Sequence, residues 1–347
     1  MRDLIKSYGK DFLSKAWNTV DITRKNISQL INADPSEIAF VKNTAEGIGI
    51  IASGYPFKTG DNIIVPDCEH ASNLYAWLNL EQKGIEIRII PNQDGAIDME
   101  DIINRCDKNT KAIAVSAVQF STGFYIDLYK LGEFCSQNNI LLIVDAIQAI
   151  GRLKIDVKKM NIDYLACGGN KGLLATFGTG FVYCNNGIVK SIYPPYSSYQ
   201  SVMTDANDPS VSLGLFDLNW YDNARRLESG NLNYAGISIL KEGVRILNKA
   251  GISNIEKRIL ELEEFLRKGL SGVNLDIRFY PRKNWSGIVF VKIPENKMDN
   301  VKSILKKYKI IATLRAGYIR LGINFYNTYE QITEVIKAME EISKLGK

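Results

Sequence analysis

Short, almost uninterrupted runs of Ile, Val, Leu and Ala recur along the first half of the chain. Examples are EIRII at 86–90, KAIAVSAV at 111–118 and ILLIV at 140–144. Such runs indicate strands that helices cover on both faces, because a strand with one wet face would alternate apolar and polar residues. Helical patterns separate the runs from about residue 19 to residue 185. This alternation predicts a mostly parallel sheet in an α/β domain.

The chain changes character after these runs. Two apolar stretches within 164–184 flank a glycine-rich turn and predict a hairpin-like pair of strands. The Pro-, Ser- and Tyr-rich residues 186–225 predict a long irregular segment, of the kind that often forms a functional lid. An amphipathic helix is predicted over Asn254–Leu270 and a last helix over Thr328–Leu345, with strands and one further helix between them.

A chain of 347 residues is long enough for two domains. We place the boundary near residue 240, which gives a large domain at 1–240 and a small α+β domain at 241–347. The net charge is +5, but the sequence has no dense Lys/Arg cluster with interleaved aromatics, so nucleic-acid binding is not expected. It also has no signal-peptide pattern and no apolar stretch near the roughly 20 residues that span a bilayer, so no membrane association is expected.

The five cysteines are scattered and form no CxxC pair. We therefore expect no metal site, no disulfide framework and a reducing, cytoplasmic location. His70 is the single histidine of the chain. One imidazole argues against most His-based metal sites and against a Ser-His-Asp triad elsewhere in the chain.

Polar residues follow successive predicted strands, at the edge where ligands bind in open α/β sheets. Thr44 opens a helix whose N-terminus suits a phosphate, and His70, Asp145, Gln148 and Lys171 follow later strands. Each has a plainer explanation: a helix cap for Thr44 or Asp145, a partly buried histidine, a surface lysine. Their order together fits pyridoxal phosphate (PLP) chemistry, which needs a Schiff-base lysine, a carboxylate at the pyridine nitrogen, a flat side chain over the ring and a phosphate site.

Seven stretches carry a resemblance to a known family. They are FVKNTAEGI, EHASNLYAW, VSAVQFSTGFYIDL, LLIVDAIQAIG, DYLACGGNKGLL with FGTGFVY, RRLESGNLNYAGI and IRLGINFYNTYEQI. In this order they make the chain similar to the class V aminotransferases, which include cysteine desulfurases and isopenicillin N epimerase-like enzymes. The resemblance runs from about residue 37 to residue 335. It implies the type I PLP-dependent fold, with a mostly parallel seven-stranded sheet and a small C-terminal α+β domain, in a homodimer with shared active sites.

The resemblance also implies roles for single residues. Lys171 would form the Schiff base with the cofactor, pyridoxal 5′-phosphate, and Asp145 would pair with its pyridine nitrogen. Gln148 would lie near the phenolic oxygen of the ring. His70 would stack on the ring and act in catalysis with Lys171 and Asp145.

The phosphate site departs from the family pattern. Thr44 and the backbone of Ala45 are expected to bind phosphate. The family usually has Ser and His shortly before the lysine, where this chain has Gly168 and Asn170. Asn170 is still expected to donate a hydrogen bond. Asn231 stands where many relatives have a Thr that reaches the partner subunit's phosphate, and we expect the same of its amide.

The resemblance assigns the α-carboxylate of an amino-acid substrate to Arg320, with Arg315 as a second substrate-binding candidate and Arg226 as a competitor. A planar guanidinium fixes a carboxylate in orientation as well as in charge. The partner of the enzyme is therefore expected to be a small molecule, an amino-acid substrate whose side chain the sequence does not identify.

The reaction stays open at this point. Desulfurases carry a cysteine on a loop just before the arginine motif, whereas KIIATLRAGYIRLGINF has none and joins Arg315 to Arg320 tightly. Cys167 is expected to be a packed residue of a strand. A class V aminotransferase reaction is favoured. A C–S lyase, a desulfurase-like enzyme, an amino-acid epimerase and an inactive PLP-fold regulator are the competing hypotheses.

Overall fold

A computed structural model describes residues 11–203, 218–278, 280–293, 295–315 and 317–346. Its helices are α1 Asp11–Ile31, α2 Thr44–Gly54, α3 Ala71–Leu78, α4 Met99–Asn104, α5 Leu128–Gln137, α6 Asn186–Val189, α7 Tyr234–Ala250, α8 Ile252–Leu270, α9 Met298–Lys307 and α10 Tyr329–Ser343. Its strands are β1 Ile38–Val41, β2 Asn62–Pro66, β3 Glu86–Ile90, β4 Thr110–Ser116, β5 Leu141–Asp145, β6 Tyr164–Gly168, β7 Gly180–Cys184, β8 Asp276–Ile277, β9 Ile288–Lys292, β10 Thr313–Arg315 and β11 Tyr318–Gly322.

The large sheet has seven strands in the order β1-β7-β6-β5-β4-β2-β3. Every adjacent pair is parallel except the two that involve β7. The predicted α/β fold with a mostly parallel seven-stranded sheet is confirmed. The glycine-rich turn explains the exception, because it folds β7 back onto β6 where a helical crossover would have kept the strands parallel.

Both faces of this sheet are covered, as the uninterrupted apolar runs require. Residues that alternate along β4 enter two different hydrophobic cores: Ile113 and Val115 belong to one, and Ala112 and Ala114 to the other. The carboxyl ends of β2, β4, β5 and β6 therefore meet at a single edge, because the strands run in the same direction.

The small sheet is antiparallel, in the order β10-β11-β9-β8. Its side chains alternate between two faces: Ile319 and Leu321 are buried in a third core, whereas Tyr318 and Arg320 are partly exposed on the opposite face. This opposite face is the one that meets the large domain.

Helix α8 connects the cores of the two sheets. Its Ile255 and Ile259 pack in a core of the large sheet, and its Leu262, Leu266 and Leu270 pack in the core of the small one. The predicted start at residue 254 lies two residues inside the observed helix. Such a shared helix restricts how the two sheets move relative to each other.

Helix α7 runs from Tyr234 to Ala250 and so passes through residue 240. The division into 1–240 and 241–347 remains a proposal. Of the predicted irregular segment 186–225, residues 204–217 lie outside the described part. The described remainder contains the short helix α6, a bridge between Val202 and Trp220, and a short 3₁₀ turn that begins at Ala224. Within the described ranges, no helix has both the length and the apolarity to cross a membrane.

A buried ion pair fastens α1 to the edge of the large sheet. The guanidinium of Arg24 lies 2.9 Å from the Glu228 carboxylate, and the two side chains are 6% and 0% exposed. The same carboxylate accepts a hydrogen bond from Phe40 N at 2.9 Å, and Arg24 also donates to the Ile38 carbonyl in β1. A buried pair of this kind is costly to break on one side, because the remaining charge stays desolvated.

We predict that Glu228→Ala lowers the free energy of unfolding by about 3–5 kcal/mol, because it leaves Arg24 buried and unpaired. Urea unfolding followed by circular dichroism measures this loss. Asp299→Ala is the control, since it removes an exposed ion pair with Lys302 at 2.9 Å and should leave the unfolding midpoint unchanged. Equal midpoints for all three proteins would show that the pair does not hold α1.

Candidate active site

A cavity of about 470 Å³ opens between the carboxyl edge of the large sheet and the face of the small sheet that carries Tyr318 and Arg320. This volume is in the usual range for a small-molecule site. The residues that line it come from both sheets: Cys68, His70, Asn92, Phe120, Ser121, Thr122, Gln148, Lys171, Arg278, Phe290, Thr313, Arg315, Tyr318 and Arg320. The structure thus brings His70, Gln148, Lys171, Arg315 and Arg320 together, although up to 250 positions separate them in sequence.

Lys171 lies in the turn after β6 and is accessible from the cavity. The turn is fixed by backbone bonds from Gly169 N to Thr179 O at 2.7 Å and from Leu174 N to Lys171 O at 3.0 Å. The surrounding protein lowers the pKa of the Lys171 amine by desolvation, an effect that the Asp145 charge opposes and the Arg320 charge strengthens. A larger fraction of the amine is therefore neutral at physiological pH than for a surface lysine.

Asp145 ends β5 and is only 3% exposed. Its carboxylate accepts a hydrogen bond from Ile147 N at 3.0 Å. No helix starts there, so Asp145 is not a helix cap. Burial raises the pKa of Asp145 to about 7, and the Glu69 charge adds to the rise, whereas the Ile147 bond and Lys171 lower it. Among the described residues it forms no ion pair, so a cationic hydrogen-bond donor is the partner that it lacks.

Glu69 is a site residue that the sequence reasoning missed. It is 6% exposed and accepts hydrogen bonds from Asn73 Nδ2 at 2.9 Å, from Ser116 N at 2.6 Å, and from the Ser116 hydroxyl and the Gln119 amide. Burial raises the pKa of Glu69, and its hydrogen bonds lower it. The signal was a charged residue directly before His70, three residues after the end of a buried strand.

The N-terminus of α2 meets the turn after β6. Asn43, not Thr44, caps this helix, since Asn43 Oδ1 accepts from Glu46 N at 2.9 Å. The Thr44 hydroxyl instead accepts from Gly168 N at 3.0 Å. A Cβ on Gly168 would lie 3.4 Å from Thr44 Oγ1 and 3.2 Å from Asn170 Oδ1. The first N–H groups of a helix lack intrahelical partners, so this junction suits an anion.

His70 is the N-cap residue of α3, and its Nδ1 accepts from Ser72 N at 3.1 Å. The ring is exposed rather than part of a core, and the Phe120 ring meets it edge-on with centroids 4.8 Å apart. Burial, followed by the charges of Lys171 and Arg315, lowers the pKa of His70. A neutral imidazole at the mouth of the cavity is free to cover a planar ring.

Arg320 extends from β11 into the cavity, where its Nη2 donates to Gln148 Oε1 at 3.2 Å. Its Nε is buried without a hydrogen-bond partner, and burial lowers its pKa. Arg315 lies at the exposed end of β10, with its guanidinium 5.1 Å from the Phe120 ring centroid. Arg226 is not among the lining residues and stacks on Trp220 at 5.4 Å, so the structure does not bring it to this site.

Two more of the sequence candidates lie elsewhere. Asn231 is exposed outside the cavity, and its side chain accepts a hydrogen bond from the Tyr199 hydroxyl. Cys167 is buried in β6, as expected of a packed strand residue, and its pKa is raised by burial. Cys68, to which the sequence reasoning gave no role, lines the cavity instead. Within the described part of the chain no group of His, Cys, Asp or Glu could hold a metal ion.

These residues fit PLP. The cofactor carries a phosphate, a protonatable ring nitrogen and an aldehyde that reacts with an amine. The junction of α2 with Thr44 and Gly168 suits the phosphate, the buried Asp145 suits the ring nitrogen, and the accessible Lys171 suits the aldehyde. Gly168 supports this fit, because a side chain there would crowd Thr44 and Asn170.

Comparisons with known proteins agree with this chemistry. The family model "Aminotransferase class-V" matches residues 5–335, so the chain belongs to the class V aminotransferase family. A protein of Methanothermobacter thermautotrophicus named "Probable cysteine desulfurase" is 29% identical over 96% of this chain and 86% of its own length. The apo structure of a cysteine desulfurase from Thermococcus onnurineus NA1 superposes with a TM-score of 0.87 at 25% identity, covering 98% of this chain and 87% of that one.

A third comparison shows the fold with its cofactor. A lysine-to-alanine variant of C-DES, with glycine covalently linked to its PLP cofactor, superposes with a TM-score of 0.87 at 19% identity, covering 96% of this chain and 88% of that one. C-DES is a cystine C–S lyase. The type I PLP-dependent fold of the present chain is confirmed, and pyridoxal 5′-phosphate is its cofactor.

We predict that Asp145→Asn changes how the stability of the cofactor-free protein depends on pH. An unfolded Asp titrates near about 3.9, whereas the folded Asp145 has a pKa of about 7. Between these values the folded state binds more protons, so the free energy of unfolding falls as pH rises and stays lowered above pH 7. Asn removes this loss, because it carries no charge to desolvate.

Urea unfolding at pH 5 and pH 8 checks this prediction. The difference in the free energy of unfolding, variant minus wild type, should be about 2–3 kcal/mol larger at pH 8 than at pH 5. This figure converts the pKa difference at 1.36 kcal/mol per pKa unit, counting only the part that lies between these two pH values. The control Asp276→Asn changes an exposed carboxylate and should follow the wild type. If the stability of Asp145→Asn instead changes with pH in parallel with that of the wild type, the Asp145 carboxylate is already ionised at pH 5 in the folded protein.

Proposed function

We propose that the chain is an aminotransferase that exchanges the amino group of an α-amino acid with a 2-oxo acid. The observation that carries this proposal is that Lys171, an accessible lysine of lowered pKa, shares a cavity with Arg320. The charge of Lys171 also acts on Asp145, a buried carboxylate without an ion pair among the described residues. When bound, PLP supplies an electron sink for the bond that breaks at the α-carbon.

The residues of the chain then have separate tasks. Lys171 Nζ takes the α-proton and returns it, which requires a neutral amine, and the lowered pKa of Lys171 favours that form. Asp145 would hold the ring nitrogen, with its orientation set by the Ile147 N–H and its pKa raised in part by Glu69. Thr44 and the turn at Gly168 would hold the phosphate, and the His70 ring would cover the cofactor ring.

Arg320 would bind the α-carboxylate of the substrate. Its buried Nε lacks a partner, and its Nη2 is held by Gln148, so the guanidinium is already oriented for an anion. Because burial has removed water from this guanidinium, a bound carboxylate takes the place of that water. The resulting bidentate ion pair is stronger than it would be at the surface.

Cleavage of a C–S bond is the second candidate, because Cys68 lines the cavity and relatives are named cysteine desulfurases. Burial raises the pKa of the Cys68 thiol to about 12, and the Glu69 and Asp67 charges add to the effect. The thiolate is the reactive form of cysteine, so Cys68 is poorly suited to accept sulfur at neutral pH. The raised pKa of Cys68 therefore argues against a desulfurase that accepts sulfur on this thiol. A C–S lyase and an epimerase need no enzymic thiol, so the product assay described below is what distinguishes them, and an inactive regulator, from the transamination that we propose.

A homodimer with shared active sites is part of this proposal. Asn231 is exposed, lies outside the cavity of its own chain and is held by Tyr199, which is 40% exposed. These positions suit a side chain that reaches the phosphate site of a second copy. We also propose a cytoplasmic location, in keeping with five free cysteines.

We predict that the purified protein, loaded with PLP, converts an amino acid and a 2-oxo acid into the exchanged pair. A panel of amino acids is assayed separately for 2-oxo acid, sulfide and racemised product. Lys171→Ala should reduce turnover by about 10²–10⁴-fold, because the proton carrier is lost, while circular dichroism stays unchanged. Lys159→Ala changes an exposed lysine and serves as the control.

Each outcome of the panel has a meaning. Sulfide as the main product would replace transamination by C–S cleavage, and racemised product alone would indicate an epimerase. No conversion and no change in the absorbance of the bound cofactor with any amino acid would favour an inactive regulator. Full activity in Lys171→Ala would contradict the assignment of this lysine.

We further predict that Cys68→Ala leaves transamination within about twofold of the wild type, because a protonated thiol takes no part in the proton transfers. The rate of 2-oxo acid formation measures this. Cys184→Ala, at a cysteine buried in β7, is the matched control for effects on folding. A large loss of sulfide release from cysteine in Cys68→Ala, but not in Cys184→Ala, would instead assign the thiol to C–S cleavage.

A further inference from the structure

The cavity around Lys171 has an excess of positive charge. Lys171, Arg278, Arg315 and Arg320 all line it, whereas no Asp or Glu appears among the described lining residues. None of the four cations forms an ion pair with a described residue. Cations gathered in a partly desolvated cavity repel one another, so an anionic ligand is the partner that relieves the repulsion.

The proposed function uses only two of these cations. Lys171 serves the cofactor, and Arg320 serves the α-carboxylate. The cofactor phosphate does not account for the others, because its expected site at Thr44 and Gly168 is not part of the lining that contains the arginines. Arg278 and Arg315 are therefore left without an assigned anion.

Both unassigned arginines are held in place by aromatic rings. The Arg278 guanidinium lies 4.6 Å from the Tyr318 ring centroid, and its Nη2 lies 3.3 Å from the Tyr318 hydroxyl. Arg315 lies opposite Tyr318 in the pairing of β10 with β11 and stacks on Phe120 at 5.1 Å. Rings that hold a guanidinium by cation–π contact leave its N–H groups free to bind an anion.

The chain also keeps space for Arg278. Gly95 has φ +85, and a Cβ there would lie 2.6 Å from Arg278 Nη1. The turn that contains it is closed by a hydrogen bond from Gly95 N to Asn92 Oδ1 at 2.7 Å, and Asn92 lines the cavity. The large domain thus supplies one wall of the space in which this guanidinium lies.

We propose that Arg278 and Arg315 form a subsite for the side-chain carboxylate of a dicarboxylic amino acid, while Arg320 binds its α-carboxylate. This inference rests on the proposed function and specifies its substrate class. The subsite should select an acidic over a neutral substrate side chain, because a neutral side chain of the same shape would leave the two guanidinium groups without an anion.

Binding of unreactive acids to the PLP-loaded protein tests the subsite without turnover. Isothermal titration calorimetry compares succinate with butyrate, which has the same number of carbons and a single carboxylate. The wild type should bind succinate at least tenfold more tightly than butyrate. Equal affinities would overturn the proposal whatever the variants do.

The variants locate the preference. Arg278→Gln and Arg315→Gln should each reduce the preference for succinate severalfold or more and leave butyrate binding unchanged, whereas Arg320→Gln should weaken both acids. Arg258→Gln is the matched control, because Arg258 also stacks on a tyrosine, Tyr329, at 4.5 Å but lies outside the cavity. An undiminished preference in both Arg278→Gln and Arg315→Gln would overturn the assignment to these residues. Arg315 is exposed, so its variant is expected to fold even if Arg278→Gln does not.

Turnover separates this inference from the proposed function. Aspartate and glutamate should be converted with kcat/KM at least tenfold above asparagine and glutamine. Equal conversion of neutral and acidic amino acids would overturn the subsite and leave the aminotransferase standing. Tight succinate binding without conversion of any amino acid would support the subsite and contradict the proposed aminotransferase activity.

Discussion

The parallel register of β4, β5 and β6 is the constraint on which the site depends. It places Ser116, Asp145 and Ala166 side by side, at the last positions of β4 and β5 and two residues before the end of β6. Ser116 binds Glu69, Asp145 faces the charge of Lys171, and the chain beyond Ala166 turns to present Lys171. A shift of one residue in any of these strands would turn these side chains to the opposite face of the sheet. The pairing of these three strands therefore fixes where the side chains of the site lie.

Two buried carboxylates give this edge its chemical character. Glu69 is surrounded by donors from α3, β4 and the following loop, whereas Asp145 receives one backbone N–H and keeps a pKa near neutrality. Like charges that lie close in a low dielectric raise each other's pKa. The negative charge of Asp145 is therefore costly in the cofactor-free protein and favourable beside a cationic ring nitrogen. Cofactor binding should accordingly raise the free energy of unfolding.

The sheet was predictable from sequence because it leaves a local signal, and the residues that we propose to hold the cofactor follow from the same signal. Continuous apolar runs indicate covered strands, and His70, Gln148 and Lys171 follow those runs directly. The cap of α2 was not predicted correctly: Asn43 and Thr44 are both good N-cap residues, and only the approach of Gly168 shows that the Thr44 hydroxyl is engaged elsewhere. Glu69 and Cys68 were missed because their roles depend on contacts with residues about 50 positions away.

Arg278 shows most clearly what sequence cannot give. It follows a two-residue strand, lies in no motif and reaches the cavity only because β8 pairs with the end of β9. Its position then depends on Tyr318 from the small sheet and on the turn at Gly95 from the large domain. The chain around the large sheet therefore presents Lys171 and Asp145, whereas the small sheet and the residue after its first strand present Arg278, Arg315 and Arg320. Under the proposed function, substrate selectivity can accordingly change through the small sheet while the roles proposed for Lys171 and Asp145 stay fixed.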